Sequence, residues 1–240
     1  MHTVEKLRAS RIPKRLAAIA VISLGASTII LMSYALVIKA RAEALLKDIT
    51  SLKVGASTEL DVQQIARRYK RYISDRHDNQ GTYTIIFEIR NKWLSAMRLE
   101  PDTRFRSWIT VRDGSASQIG AGLFRSMDIY PTFQASAGMV EENAMHPKNS
   151  WGSSSHYYFP TPVGKPYLLV KLDPQATQVQ KQRAFDFSFR CFIKPGWGCD
   201  LPCDYLPSAW QDWKDSLRGS DLYPDAFNQH YPENARCKPK

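Results

Sequence analysis

Four cysteines lie in the C-terminal part of the sequence: Cys191, Cys199, Cys203 and Cys237. Their spacing limits the chemistry in which they could take part. Structural zinc sites usually combine two closely spaced cysteine pairs, but here only Cys199 and Cys203 are close together. A redox-active pair takes the form Cys-x-x-Cys and stabilises a thiolate. Here Asp200 and Asp204 are next to Cys199 and Cys203, and their negative charges disfavour a thiolate. We therefore expect structural disulfides, with no metal ion and no other cofactor.

An even number of cysteines is typical of an exported domain in an oxidising compartment. Four cysteines allow three connectivities, and we favour Cys191–Cys199 together with Cys203–Cys237. The first bridge would close a short loop, and the second would hold the C-terminus, each contributing about 2–4 kcal/mol to the free energy of unfolding. The alternative Cys199–Cys203 bridge would be strained unless the turn between them suits it.

No other set of polar residues forms a catalytic constellation. The sequence contains no phosphate-binding loop, dinucleotide-binding glycine motif, zinc-protease motif or nucleophile elbow. Neither His77-Asp78, in a predicted turn, nor His156, which follows three serines, has a partner whose position the sequence defines. An enzymatic activity is not predicted.

Six tryptophans and eleven tyrosines indicate a second kind of site, because aromatic faces pack well on the apolar faces of sugar rings. Trp93 and Trp108 occur in strand-like runs, and we expect both in the core. Trp151 and Trp197 lie in predicted loops and, with Tyr157, are the candidate ligand-contact aromatics.

Residues 16–38, LAAIAVISLGASTIILMSYALVI, contain no charged side chain. A helix of this length spans about 34 Å, enough to cross the hydrocarbon core of about 30 Å, and a helix satisfies its own backbone there. Lys and Arg are frequent before this segment, which favours a cytoplasmic N-terminus. The alternative is a signal peptide cleaved after Ala42, but its apolar core would be unusually long.

The net charge of +10 does not predict a nucleic-acid partner. Five basic residues and Glu5 lie among residues 1–15, and the remaining excess positive charge is spread over the rest of the chain. A phosphate-binding surface needs a concentrated stripe or patch of Lys and Arg.

After the apolar segment, alternating residues predict a strand at 82–90, and Asp113-Gly114 predicts a hairpin turn. Helical spacing predicts helices at about 58–74, within 176–185 and within 207–217. Further strands are expected at 156–160, 166–172 and 186–193, with a long loop over 127–155.

These elements predict an α+β fold: an N-terminal transmembrane helix, then an antiparallel sheet with one or two packed helices and a disulfide-tied C-terminal tail. The expected organisation is a cytoplasmic tail at 1–15, the transmembrane helix at 16–38, a stalk and linker at 39–56, and an extracytoplasmic domain at 57–240.

The stretch SLKVGASTELDVQQI resembles the small outer-membrane-assembly lipoproteins of Gram-negative bacteria, in which such a segment precedes a helix and strands. The resemblance implies two helices against an antiparallel sheet and an accessory scaffolding role. It covers a short part of the chain, which has an apolar segment where those proteins have a lipidated cysteine. As a whole, the chain looks like uncharacterised single-span envelope proteins of soil bacteria.

Together these features predict a non-enzymatic, membrane-anchored envelope protein that binds or scaffolds an unknown partner protein. It would cross the inner membrane once, with a cytoplasmic N-terminus and a periplasmic or extracellular main domain. The alternative is a cell-wall or glycan-binding module that uses Trp151, Tyr157 and Trp197.

Thiol labelling of intact cells tests the predicted compartment and the disulfides together. A membrane-impermeant maleimide should label the protein only after reduction, because disulfide-bonded cysteines are unreactive. Labelling that requires cell lysis but no reduction would contradict both predictions.

Overall fold

The computed structural model describes residues 14–79, 81–93, 102–127, 130–140, 154–159, 167–192 and 202–217. The described helices are α1 (Lys14–Thr50), α2 (Glu59–Arg68), α3 (Gln178–Ala184), α4 (Pro202–Tyr205) and α5 (Pro207–Leu217). The strands are β1 (Ile73–Asn79), β2 (Thr82–Arg90), β3 (Asp102–Arg112), β4 (Ser115–Met127), β5 (Tyr130–Val140), β6 (Ser154–Phe159) and β7 (Tyr167–Leu172). Short 3-10 helices cover Lys70–Tyr72 and Phe189–Phe192.

The strands form one seven-stranded sheet in the order β1-β2-β3-β4-β5-β7-β6. Neighbouring strands are antiparallel except for β5 and β7, which are parallel. The fold is therefore α+β with a long N-terminal helix and a mostly antiparallel sheet, as predicted. More helices are present than the one or two expected.

One face of the sheet forms the hydrophobic core with the helices. Alternate side chains along the strands are fully buried, for example Phe87 in β2, Ile109 in β3 and Ile119 in β4. Residues of α1, α2 and α5 belong to the same buried cluster. This arrangement is a two-layer structure with its helices on one side of the sheet.

The 37 residues of α1 form a single helix that lies in two different environments. From Ala18 to Ile30 every side chain is exposed, whereas between Leu31 and Val37 one side of the helix already packs, with Tyr34 half-buried and Ala35 1% exposed. In its second half Ile38, Ala42 and Leu45 lie at helical spacing and are buried in the core. The segment expected as a stalk and linker thus contributes the helix on which the sheet packs.

One helix in the part of the chain that the structure describes, Ala18–Thr50, is long and apolar enough to cross a membrane. Only 11% of its most apolar window is buried inside the protein. The apolar stretch 18–37 has a length of about 30 Å, comparable with the thickness of a hydrocarbon core, and packing against the domain begins within it, at Tyr34 and Ala35.

Several predicted elements agree with the structure, and others do not. Strand β2 and helix α5 have the predicted bounds, and the Asp113-Gly114 turn joins β3 to β4 with positive φ angles at both residues. The helix predicted at 58–74 ends earlier, and β1 follows it. Strand β1 carries almost only polar residues, so alternation of apolar residues does not reveal it.

The loop predicted at 127–155 was wrong, because β5 occupies Tyr130–Val140. Its buried residues, such as Ala135, Ser136 and Ala137, are small and give no strand periodicity. The strand predicted at 186–193 was also wrong. There Phe187 and Phe189 contact the ring of Phe105 edge-on, with centroids 6.0 and 5.0 Å away, and this packing favours a compact turn over an extended strand.

Two polar contacts join helices within this layer. Asp48 of α1 accepts hydrogen bonds from Arg68 Nη1 at 2.7 Å and from the Tyr69 hydroxyl at 2.9 Å, both at the end of α2. Arg183 of α3 donates from Nε to Asp212 of α5 at 2.9 Å. Burial, aided by the bond to Asp48, raises the pKa of Tyr69 to about 12.

Replacing Tyr69 with Phe tests the contact with Asp48. We expect Tyr69→Phe to lower the free energy of unfolding of the full chain in detergent by about 1 kcal/mol near neutral pH, because one hydrogen bond is lost. The folded-state pKa lies above the ordinary value of 10.0. The hydroxyl therefore stabilises the native protein below about pH 10 and loses this effect as the pH rises towards 12.

The variant should consequently lose less stability than the native protein between pH 10 and pH 12, as measured by urea unfolding. Tyr72→Phe is the matched control, since no side-chain hydrogen bond of Tyr72 occurs among the described residues. Identical pH profiles for Tyr69→Phe and the native chain would contradict the prediction.

Candidate binding face of the sheet

The sheet face opposite the helices, hereafter the outer face, contains an arginine and two aromatic rings. Two residues that are paired across neighbouring strands have their side chains on the same face of the sheet. Arg106 of β3 is paired with Glu88 of β2 and with Gly122 of β4. Trp108 is likewise paired with Gly120. This register places Arg106 and Trp108 of β3 beside Gly122 and Gly120 of β4.

The Trp108 ring lies flat across β4 because Gly120 has no side chain. A Cβ atom at Gly120 would lie only 2.2 Å from Trp108 Cζ2 and 2.3 Å from Cε2. A Cβ atom at Gly138, on the next strand, would lie 3.8 Å from the same Cζ2. The two glycines thus form the platform on which the indole rests.

A similar contact occurs one residue pair away. A Cβ atom at Gly122 would lie 2.8 Å from Phe124 Cε2, so the Phe124 ring covers Gly122. The Arg106 guanidinium lies over the Phe124 ring at 5.7 Å from its centroid. Arg106 Nε also donates to Glu88 Oε2 at 2.6 Å. These contacts hold the guanidinium in one orientation.

Trp108, Arg106 and Phe124 are all half-buried, so each ring or guanidinium presents part of its surface. The two rings pack against the glycines, and Arg106 packs against Glu88 and Phe124. Tryptophan and arginine are also the residues most enriched at the centres of protein interfaces. The outer face therefore carries two residue types that are common at the centres of protein interfaces.

The predicted ligand-contact aromatics do not occur among the described side chains. Trp151 and Trp197 lie outside the described residues, and Tyr157 lies on β6, where its side chain is not among those described. The core prediction was wrong for Trp93, whose side chain is 56% exposed just beyond β2. Trp108 is only half-buried and lies on the outer face instead of in the core.

Of the predicted disulfide residues, Cys203 lies in α4, half-buried against the core, and is disulfide-bonded. Cys191 lies in the second 3-10 helix, whereas Cys199 and Cys237 lie outside the described residues. The partner of Cys203 is not among the described side chains. A disulfide-tied tail is therefore not supported, and both proposed pairings stay predictions.

In the described ranges, no group of three or more His, Cys, Asp or Glu side chains could hold a metal ion. The polar pair His77–Asp75, with Nε2 and Oδ2 2.9 Å apart, is exposed on the edge strand β1. A shallow groove between α1 and α3 is lined by Lys47, Lys181 and Phe185, among others. None of these arrangements combines a nucleophile with a base.

Sequence reasoning missed the Trp108 platform because a β-bulge sets its register. A regular hairpin about Asp113-Gly114 would pair Trp108 with Ile119. The structure has one extra residue in β4 at Ser117, which shifts the partner of Trp108 to Gly120. The signal lies in the apolar residues of β4, where the step from Ala116 to Ile119 breaks the two-residue period.

No protein-family model matches the chain, and no curated protein and no solved structure shows significant similarity to it.

The platform predicts strong coupling between Gly120 and Trp108. Gly120→Ala should lower the free energy of unfolding by about 1–3 kcal/mol, because the added methyl group overlaps the indole ring and forces it to move. In a Trp108→Ala background the same substitution should cost much less. Urea unfolding of the four proteins in detergent gives the coupling energy.

Additive effects of the two substitutions would contradict the platform. Trp108→Phe is the matched control, since the smaller ring keeps an aromatic group at this position.

Proposed function

We propose that this chain is a single-span, non-enzymatic envelope protein whose α+β domain binds a partner protein through the outer face. The observation that carries the anchoring is that α1 has two environments. It contains an apolar stretch long enough to cross a membrane, of which only 11% is buried in the most apolar window, and its C-terminal half packs into the domain core.

The exposed half supports a membrane anchor. Large apolar side chains are exposed all around it, including Val21, Leu24 and Ile30, with exposed fractions of 71%, 71% and 67%. Exposure of such an apolar surface to water is unfavourable, whereas contact with the hydrocarbon core of a membrane is not. We propose an inner-membrane location with the N-terminus in the cytoplasm, on the distribution of Lys and Arg, and the domain in the periplasm or outside the cell.

Helix continuity supports a fixed position for the domain. Packing against the domain begins within the apolar stretch: Ala35 is 1% exposed and Ile38 is 6% exposed, whereas Leu36 and Val37 between them are exposed. The proposed span and the folded domain are therefore adjacent, without an intervening linker. A domain held in this way presents its outer face at a constant distance from the bilayer, which suits a protein that positions a partner at the membrane.

The sheet surfaces support binding through the outer face in preference to the edge at β1. Strand β1 forms one edge and carries exposed charged residues, including Asp75, Arg76 and Asp78. Charged edge strands resist pairing with another chain. The outer face instead offers Trp108 and Phe124, whose rings pack against glycines, and Arg106, which is held by Glu88 and Phe124. Preorganised side chains lose little entropy on binding.

The local resemblance of SLKVGASTELDVQQI to assembly lipoproteins is consistent with an accessory, scaffolding role. We propose no activity from it. The alternative function, glycan binding by Trp151, Tyr157 and Trp197, involves side chains outside those described.

Site-specific photo-cross-linking of the full chain in its native cells tests the proposal. A photoreactive phenylalanine analogue at position 108 should form one discrete protein adduct. The matched control position is Val179 on α3, which is 64% exposed on the helical side of the domain, and it should form none. Once the partner is identified, Trp108→Ala should weaken binding by about 2 kcal/mol or more, as expected for an interface tryptophan.

Equal adducts at both positions, or no protein adduct at position 108, would contradict the proposed face. Retention of the chain on purified cell-wall material, lost in Trp151→Ala and Trp197→Ala, would support the glycan-binding alternative instead.

A further inference from the structure

The course of α1 over the sheet defines which end of the domain is close to the apolar half of the helix. The segment after α1 contacts the β3–β4 turn: Gly55 N donates to Ala116 O at 2.8 Å, and Glu59 N donates to Gly114 O at 2.9 Å. The C-terminal end of α1 therefore lies at this end of the sheet.

The remainder of the buried half runs towards the opposite end. From Ile38 to Thr50 the helix extends about 18 Å, and it lies over β2, β3 and β4. Three neighbouring strands cover only about 10 Å across the sheet. Most of the helix length must therefore run along the strands, and Ile38 lies away from the β3–β4 turn.

The last residue of β2 lies at that opposite end. Thr82 is paired with Arg112, beside the β3–β4 turn, whereas Arg90 is paired with Arg104, eight residues further along β3 from the turn. The segment after Arg90 therefore emerges at the end of the domain from which the exposed half of α1 projects.

This end carries an exposed tryptophan beside basic side chains. Trp93 is 56% exposed, and Lys92 and Arg90 are exposed next to it. On α1, the first residues after the exposed apolar half include Lys39 and Arg41. Tryptophan is enriched at membrane–water interfaces, and basic side chains attract anionic headgroups.

We propose that the segment Arg90–Trp93 contacts the anionic headgroups of the same membrane that α1 spans. This inference rests on the proposed membrane anchoring. It gives the domain a second attachment to the bilayer, beside the helix, and so restrains rotation and tilt of the domain about α1. It also gives a role to the exposed tryptophan at this position.

Tryptophan quenching in reconstituted vesicles tests this contact. The anchor helix contains no tryptophan, since all six lie at position 93 or later, so quenching by lipids with brominated acyl chains reports only on the domain. In phosphatidylglycerol-rich vesicles the full chain should show partial quenching. Trp93→Phe should remove most of it, whereas the control Trp108→Phe should leave it unchanged.

The dependence of quenching on the charge of the lipid tests whether the contact requires anionic headgroups. Quenching should be at least twofold weaker in phosphatidylcholine vesicles, and Lys92→Gln should reduce it in anionic vesicles, because each basic side chain adds to the attraction to the surface. Equal quenching in both lipids would overturn the role of anionic headgroups. Quenching that Trp93→Phe does not alter would overturn the contact itself.

Extraction with alkaline carbonate separates this inference from the anchoring on which it rests. A chain that leaves the vesicles in carbonate would refute the membrane anchor. A chain that stays embedded but shows no Trp93-dependent quenching would refute only the headgroup contact.

Discussion

Burial of one stripe of α1 on the sheet is the interaction on which the rest of the structure depends. Ile38, Ala42, Leu45 and Ile49 are almost fully buried, and α1 contacts β2, β3, β4 and the 3-10 helix Phe189–Phe192. Since the same helix continues into the exposed apolar half, the core and the proposed anchor cannot separate without unfolding the domain. Hydrophobic burial thus sets the position of the domain relative to the proposed bilayer, at a cost of several kcal/mol for any detachment.

A short junction makes this arrangement possible. Gly55 adopts φ 77°, which glycine tolerates, and turns the chain where α1 ends. Thr58 then caps α2 through a reciprocal contact with Asp61, and the backbone of the junction bonds to the β3–β4 turn. The stretch that carries the local family resemblance is therefore the point where both helices and the central hairpin meet.

The outer face shows how backbone register can create a binding surface. Ser117 is the extra residue of a β-bulge, and it brings Ile119 opposite Ile109 in the core. The same shift brings Gly120 opposite Trp108 on the other face. Core packing therefore decides the register, and the aromatic platform on the outer face follows from it, because neighbouring residues in a strand point to opposite sides.

The amino-acid sequence by itself determined the features that depend on local chemistry: the membrane-length apolar helix, the strand at 82–90, the Asp113-Gly114 turn and the α+β class. Periodicity and turn conformation are encoded within a few residues, so these could be predicted. Tertiary structure alone decided that 39–50 is a core helix, that β5 is a strand, and that Trp93 is exposed while Trp108 lies on glycines. Those outcomes depend on contacts between segments distant in sequence, where sheet position and register outweigh local propensity.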